Sequence, residues 1–439
     1  MAGGAARSGG RHRRARVLLV LLGLVAGMLV SEVALRLSGR SFRPHLRNRV
    51  YFAEPDPLLG WRNRRNLAGP YGGDEFLTRV TLNGAGRRDP PARPDRIQEG
   101  PAAGRRAPVR EIAVLGDSQA FGDGVEDHET FAALLDGPPR IVRNYAVPGY
   151  GTDQELLLFQ RDVLPSAPDV VIVAVYLGND LRDNADSGTW QYPKPYFVRE
   201  AGDGLRLTGS PASRPPLVTP MIELFRALMR HSVLLNPLAA EATDIDIPAR
   251  RDRAFWESSG RPLAEIWGAT PDAASRASLE LTALLLQALV EQIANAGARP
   301  VVVLIPELGA VEIARDATWQ RDLAQHAIDW QRPQREITAA LCGAEGFGAP
   351  AQGATRPGDR PGDPRTTAAT NEASASARSP RCAGARGLVV IDALPALARG
   401  ERPYYPGWKH LTAEGHRIVA GLLADELGVD EAAHDHGAR

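Results

Sequence analysis

From Val109 onward the chain alternates short β-branched runs with helical patterns, and this rhythm limits the possible folds more than any other feature. Strands are expected at residues 111–115, 141–145, 170–176, 301–305 and 388–392. Three of these are near-continuous apolar runs, which is what strands covered on both faces require. Helical patterns begin near Asp127, Thr152, Ser278, Thr318 and Thr412. Thr152 with Glu155 fits a capping box. Leu281, Leu285, Leu289 and Ile293 make an i, i+4 stripe that stops at Gly297, a core face ending in a C-terminal glycine. Alternation of this kind specifies a parallel sheet between layers of helices. Residues 183–268 break the rhythm and are rich in Pro, Arg and aromatics, so they read as an insertion after the third strand.

The N-terminus carries Arg7, Arg11, Arg13, Arg14 and Arg16, followed by an unbroken apolar run from Val17 to Val30. After Ser31 and Glu32, apolar character resumes to Leu37. As a helix, residues 17–37 span about 31 Å, matching a bilayer core of roughly 30 Å. Glu32 falls toward the far interface, where Arg36 at i+4 is placed to pair with it. The arginines ahead of the run favour a cytoplasmic N-terminus; Arg36, Arg40, Arg43 and Arg47 weigh against it. A cleaved signal peptide is the rival, but no convincing small-x-small site lies between Val30 and Leu35. The expectation is a single-pass anchor that leaves the rest of the chain periplasmic or extracellular.

Acidic and basic residues balance at 52 each, so no bulk field favours nucleic acid. The only cysteines are Cys342 and Cys382. Between Gly348 and Arg381 there is no large apolar residue, so that loop cannot bury itself. A disulfide closing it suits an oxidising compartment and would contribute about 4 kcal/mol by chain entropy; two unrelated thiols are the alternative. No Cys/His cluster suggests a metal, and His434 and His436 lie in a polar tail. The segments are a basic terminus (1–16), an anchor (17–37), a membrane-proximal lead-in (42–108) and a main domain (109–427). The main domain holds the insertion and a low-complexity loop (343–381), and a tail follows (428–439).

Gly116-Asp117-Ser118 closes the first apolar run, so a serine enters a sharp turn at the sheet edge where α/β proteins hold reactive groups. Three later segments accompany it: Asn144 through Gln154, Gly178-Asn179-Asp180, and His410 with Gly415-His416. In order and spacing these resemble the blocks of the SGNH, or GDSL-type, hydrolases over residues 109–182 and 386–427. The phrases Asp56-Pro57-Leu58-Leu59-Gly60-Trp61 and Asn83-Gly84-Ala85-Gly86-Arg87 look like membrane-anchored bacterial members. The resemblance implies a flavodoxin-like α/β/α sandwich with a five-stranded parallel sheet, cleaving or transferring acyl esters.

Acyl transfer needs a nucleophile, a base and donors aimed at the developing oxyanion. Ser118 supplies the hydroxyl. The N–H of Ser118, the N–H of Gly149 and the Asn179 amide follow strands one, two and three. A 2-1-3-4-5 sheet would bring them together. Losing one such donor costs about 2.7–4 kcal/mol of transition-state stabilisation. The alternatives are an ordinary Pro-Gly turn for Gly149 and a turn-forming role for Asn179. His410 is the candidate base; His416 falls inside the last helix, and His128 has no block behind it.

One departure from the family matters. An aspartate usually stands two or three residues before the catalytic histidine, where this chain has Trp408 and Gly407. Three readings stay open: a backbone carbonyl near Gly407 orients His410, Asp392 at the end of the last strand substitutes, or catalysis is weak. Asp117 is expected to order the serine turn through backbone N–H groups. A nucleophile elbow is excluded because Ala120 stands where a glycine is needed. Gly122-Asp123-Gly124 lacks the third glycine of a dinucleotide loop.

The functional expectation is an extracytoplasmic serine esterase acting on an ester-bearing small molecule, envelope glycan or lipid, with no cofactor. An O-acyltransferase using the same residues and a catalytically weak glycan-binding module are the alternatives. Trp190, Tyr192, Tyr196 and Phe197 are candidate substrate platforms or packing residues. Oligomeric state is open.

Overall fold

The computed structural model describes residues 6–38, 52–72, 75–90, 110–188, 193–200, 202, 204–213, 217–221, 223–224, 232–235, 273–343, 382–383 and 387–428. The apolar runs assemble into one six-stranded sheet. Strands β1 (Arg110–Gly116), β2 (Arg140–Asn144), β3 (Val170–Tyr176) and β4 (Arg299–Ile305) are mutually parallel. Beyond them, β5 (Cys382–Ala383) and β6 (Val389–Asp392) complete the sheet in the order β5-β6-β4-β3-β1-β2. The five parallel strands therefore run 2-1-3-4-5, the expected order. The two-residue β5 is an antiparallel addition at the β6 edge.

Side chains alternate between the faces of a strand, and here both faces are apolar. Ile112, Val114, Val170, Ile172, Val301 and Val303 belong to one core. Ala113, Leu115, Val171, Val173, Val302 and Leu304 belong to the other. The helices Phe131–Leu135, Leu308–Arg315 and Ala413–Leu427 contribute buried residues to the first core. Thr152–Leu158, Ala273–Asn295 and Arg332–Cys342 contribute to the second. The result is an α/β/α sandwich. Leu285, Leu289 and Ile293 of the expected stripe are fully buried, which accounts for Ala273–Asn295 as a core helix in spite of its length and apolarity.

The capping box expected at Thr152 and Glu155 does not form. Gly151 is the N-cap, without a side-chain cap bond, and neither carboxylate oxygen of the buried Glu155 has a partner among the described residues. Burial against the sheet removed Glu155 from the solvent-facing position that a capping box uses.

The lead-in folds as two antiparallel hairpins, pairing Ala53–Asp56 with Gly60–Asn63 and Leu67–Gly72 with Leu77–Leu82. Both pack into the main body: Phe52, Tyr71, Phe76, Val80 and Leu82 share the first core, and Ala53, Leu59 and Trp61 the second.

At the N-terminus, Ala6–Leu37 is helical, and residues 15–37 form a candidate membrane span with its apolar side chains exposed. Arg36 Nε donates to Glu32 Oε1 at 2.8 Å, the i+4 pair read from the sequence. The Glu32 carboxylate also accepts the Ser232 hydroxyl at 2.8 Å and the N–H groups of Val233 and Leu234 at 2.9 Å. Part of the 183–268 insertion is thereby fastened near the end of the apolar helix.

Several sequence expectations lie outside the described residues: Trp190, Tyr192, residues 344–381 and the tail beyond Gly428. The side chain of Cys382 is also outside them, and with it the expected pairing with Cys342.

Candidate active site

The site grows from the carboxyl ends of β1, β2 and β3. Gly116 ends β1 at φ +154°, and a Cβ there would lie 2.5 Å from Ala120 Cβ, so only glycine fits the turn. Asp117 caps the short helix Ser118–Phe121, its Oδ1 accepting the Gln119 N–H at 2.8 Å. Ser118 is the first residue of that helix, where backbone N–H groups have no intrahelical acceptor.

His410 arrives from the loop before the last helix. Its Nε2 lies 2.8 Å from Ser118 Oγ, and its Nδ1 lies 2.7 Å from the Trp408 carbonyl oxygen. A carbonyl only accepts, so the ring proton sits on Nδ1 and Nε2 is left to accept from the serine. Burial lowers the His410 pKa, opposed by the Trp408 carbonyl and by the Asp117 charge. The imidazole is therefore neutral at pH 7, the form a general base needs.

Asp392 is not part of this arrangement. Its Oδ1 accepts the Leu394 N–H at 2.9 Å, capping the turn after β6, while Trp408 O faces His410 Nδ1. Of the three readings of the missing family aspartate, the geometry has the one with a backbone carbonyl. A Cβ on Gly407 would lie 2.9 Å from Glu75 Oε2, the far end of a flexible side chain. The Glu75 carboxylate already accepts the N–H groups of Gly407, at 3.1 Å, and Trp408.

Gln119, next to the serine, grips the backbone on both sides of His410. Its Nε2 donates to Lys409 O at 3.1 Å and its Oε1 accepts from Leu411 N–H at 3.0 Å. Lys409 itself adopts φ +57°, a left-handed conformation that costs about 1–3 kcal/mol in a non-glycine residue. The clamp from Gln119 and the bond from Lys409 N–H to Tyr405 O, 2.7 Å, hold it there.

The other expected donors stand on the neighbouring strand ends. The Val147 N–H reaches Gly116 O at 3.1 Å, so the loop carrying Gly149 stays paired alongside the serine turn. Lead-in residues brace that loop, Trp61 Nε1 donating to Pro148 O at 3.2 Å and Asn63 Nδ2 to Ala146 O at 3.1 Å. Gly149 has φ +75°. Asn179 follows β3, and its amide donates to Asp183 Oδ2 at 2.8 Å. Contact with a substrate oxygen would draw on that amide.

Beneath the serine lies a group of buried acids. Burial raises Asp117 to about 6, with the Gln119 N–H and His410 acting against the shift. Burial, then repulsion from neighbouring carboxylates, raises Glu155 and Asp180 well above the carboxylate range. Asp153 is paired with Lys194 Nζ at 2.8 Å. Among the described residues no group of three His, Cys, Asp or Glu is placed to hold a metal ion.

His416 is fully buried, accepts the Phe131 N–H on Nδ1 at 3.2 Å, and is lowered to about 3 by burial. That is a structural setting, with the ring packed against Phe131. His128 is exposed. Tyr196 and Phe197 are partly buried on a small hairpin, Phe197 against the second core. Glu75, Gln119 and Asp123 were not singled out for the site from the sequence. Only the position of Gln119 beside the serine hinted at its role.

No family model matches the chain, and no curated protein matches it. Among solved structures, a catalytic mutant of an acetylxylan esterase from Geobacillus stearothermophilus is 12% identical, covering 74% of this chain and 96% of its own, with a TM-score of 0.34. An alpha/beta hydrolase from the metagenome of Lake Arreo, Spain, is 12% identical over 73% of this chain and 96% of its own, TM-score 0.30. A GDSL-like lipase from Bacteroides thetaiotaomicron is 10% identical over 73% and 88%, TM-score 0.30. At such identities and TM-scores these likenesses do not bear on activity.

Proposed function

We propose that the protein is a serine ester hydrolase of the SGNH type. The observation that carries this is the hydrogen-bonded line from Ser118 Oγ through His410 to the Trp408 carbonyl. Ser118 Oγ attacks the ester carbonyl carbon as its proton passes to His410 Nε2. The tetrahedral oxyanion is met by the N–H groups of Ser118 and Gly149 and by the Asn179 amide. His410 returns the proton to the leaving alkoxide, and an acyl-enzyme remains. Water attacks it, losing a proton to His410; the acyl–Oγ bond then breaks as His410 returns that proton to Ser118 Oγ, and the free acid departs.

The apolar helix to Leu37 anchors the protein in the membrane, with the hydrolase body outside the cytoplasm and Cys342 paired with Cys382. The packing of the helix Arg332–Cys342 against β5 supports that pairing. The substrate class is acyl esters, on envelope glycans or lipids within reach of an anchored enzyme. With aryl acetate as substrate, Ser118→Ala is expected to lower kcat/KM by about 10³-fold or more. Hydrolysis at the wild-type rate would refute the assignment.

A further inference from the structure

We infer that Asp123 is a positioning residue for the same chemistry: its carboxylate, lodged beside the serine-facing nitrogen of His410, supplies the negative charge that the imidazolium lacks at its other nitrogen. The inference rests on Ser118 and His410 acting as nucleophile and base.

Asp123 is 4% exposed and lies just past the helix that starts at Ser118, its N–H bonded to Ser118 O at 3.0 Å. Its Oδ2 is 3.9 Å from His410 Nε2, and among the described residues no other carboxylate comes within 4.0 Å of a ring nitrogen of His410. The same oxygen accepts the Tyr71 hydroxyl at 2.6 Å. The other oxygen, Oδ1, is buried with no partner among the described residues.

The loop is fixed in place. Arg88, 1% exposed, donates to the carbonyls of Phe121 (3.1 Å), Gly122 (2.6 Å) and Val125 (2.7 Å), and to Asp127 Oδ1 at 2.8 Å. A buried carboxylate with an idle oxygen is costly to the fold, and such groups concentrate where proteins do chemistry.

The groups that set its charge are Tyr71 from the lead-in hairpin and Arg88, and His410 Nε2 faces it at 3.9 Å. Burial raises Asp123 to about 7, against the Tyr71 hydrogen bond and the Arg88 charge. His410 in turn faces Asp117 and Asp123, with neutral His416 nearby. As pH rises through about 7, Asp123 ionises, and only then does it favour the proton on His410 Nε2. The wild-type kcat/KM profile therefore carries a rise near pH 7 above the histidine limb, which lies below 6.5 because burial lowers His410.

The stability effect has the opposite sign. A carboxyl raised in the folded state stabilises the fold at low pH, and that contribution is lost as pH rises through about 7. Removing the charge should not lower the melting temperature at pH 8.

The test is the pH profile of aryl ester hydrolysis by the full chain in detergent, with melting curves alongside. Asp123→Asn is expected to lower kcat/KM at pH 8 on the order of 10-fold, lose the rise near pH 7, and melt no lower than wild type at pH 8. Tyr71→Phe removes a bond that holds the carboxyl down, so its rise should move to higher pH. An Asp123→Asn profile that keeps the rise, or an equal loss at every pH with a lowered melting temperature, would overturn the inference. A Tyr71→Phe profile superimposed on wild type would do the same.

Discussion

Trp408 O accepts from His410 Nδ1 without carrying a full charge, so it orients the ring better than it stabilises the imidazolium. Orientation then depends on the peptide that holds this carbonyl. The Lys409 N–H, in the same peptide plane, is tied to Tyr405 O, and the preceding N–H groups are tied to Glu75. Glu75→Ala should let the turn relax and misplace His410, lowering kcat by about 10- to 100-fold with little change in KM. Glu75→Gln, which keeps one acceptor, should recover part of the loss. A kcat unaltered in Glu75→Ala, measured on a soluble aryl ester, would show that the turn holds without it. The approach of Ser118 and His410 to 2.8 Å was legible in the chain because each sits in a short block of fixed chemistry. Asp123, Glu75 and Gln119 were not, because their partners stand 287, 332 and 290 residues away and only the folded chain brings them together.

The five parallel strands could be read because a strand covered on both faces must be apolar throughout, and Val170–Tyr176 is buried at every position. Their 2-1-3-4-5 order leaves connecting helices on both faces of the sheet. The lead-in hairpins could not be read in the same way. Ala53–Asp56 and Gly60–Asn63 are four residues each, mostly small or polar, and form strands because they cap existing cores. β5, at two residues, owes its existence to the edge of β6. The failed capping box has the same origin, since tertiary burial of Glu155 overrode a local pattern. Trp61, Asn63, Tyr71, Glu75 and Arg88 show that the lead-in braces the loops carrying Gly149, Asp123 and His410, something its sequence did not disclose.

For the whole molecule, the proposal joins an anchor to a hydrolase body. The apolar helix has no partner for its length in the described body, yet Glu32 near its end is fastened to residues 232–234. If the helix spans the bilayer, the full chain should resist extraction by alkaline carbonate and yield only to detergent. Release by carbonate, or a mature N-terminus beyond Leu37, would exclude an anchor. Catalysis is the more central claim and has the more direct test. The full chain is treated with a fluorophosphonate, and the site of the adduct is mapped by mass spectrometry. One covalent adduct on Ser118, formed slowly or not at all in His410→Ala, is the result predicted. An unmodified Ser118 in folded protein, or equal labelling without His410, would contradict the Ser118–His410 mechanism.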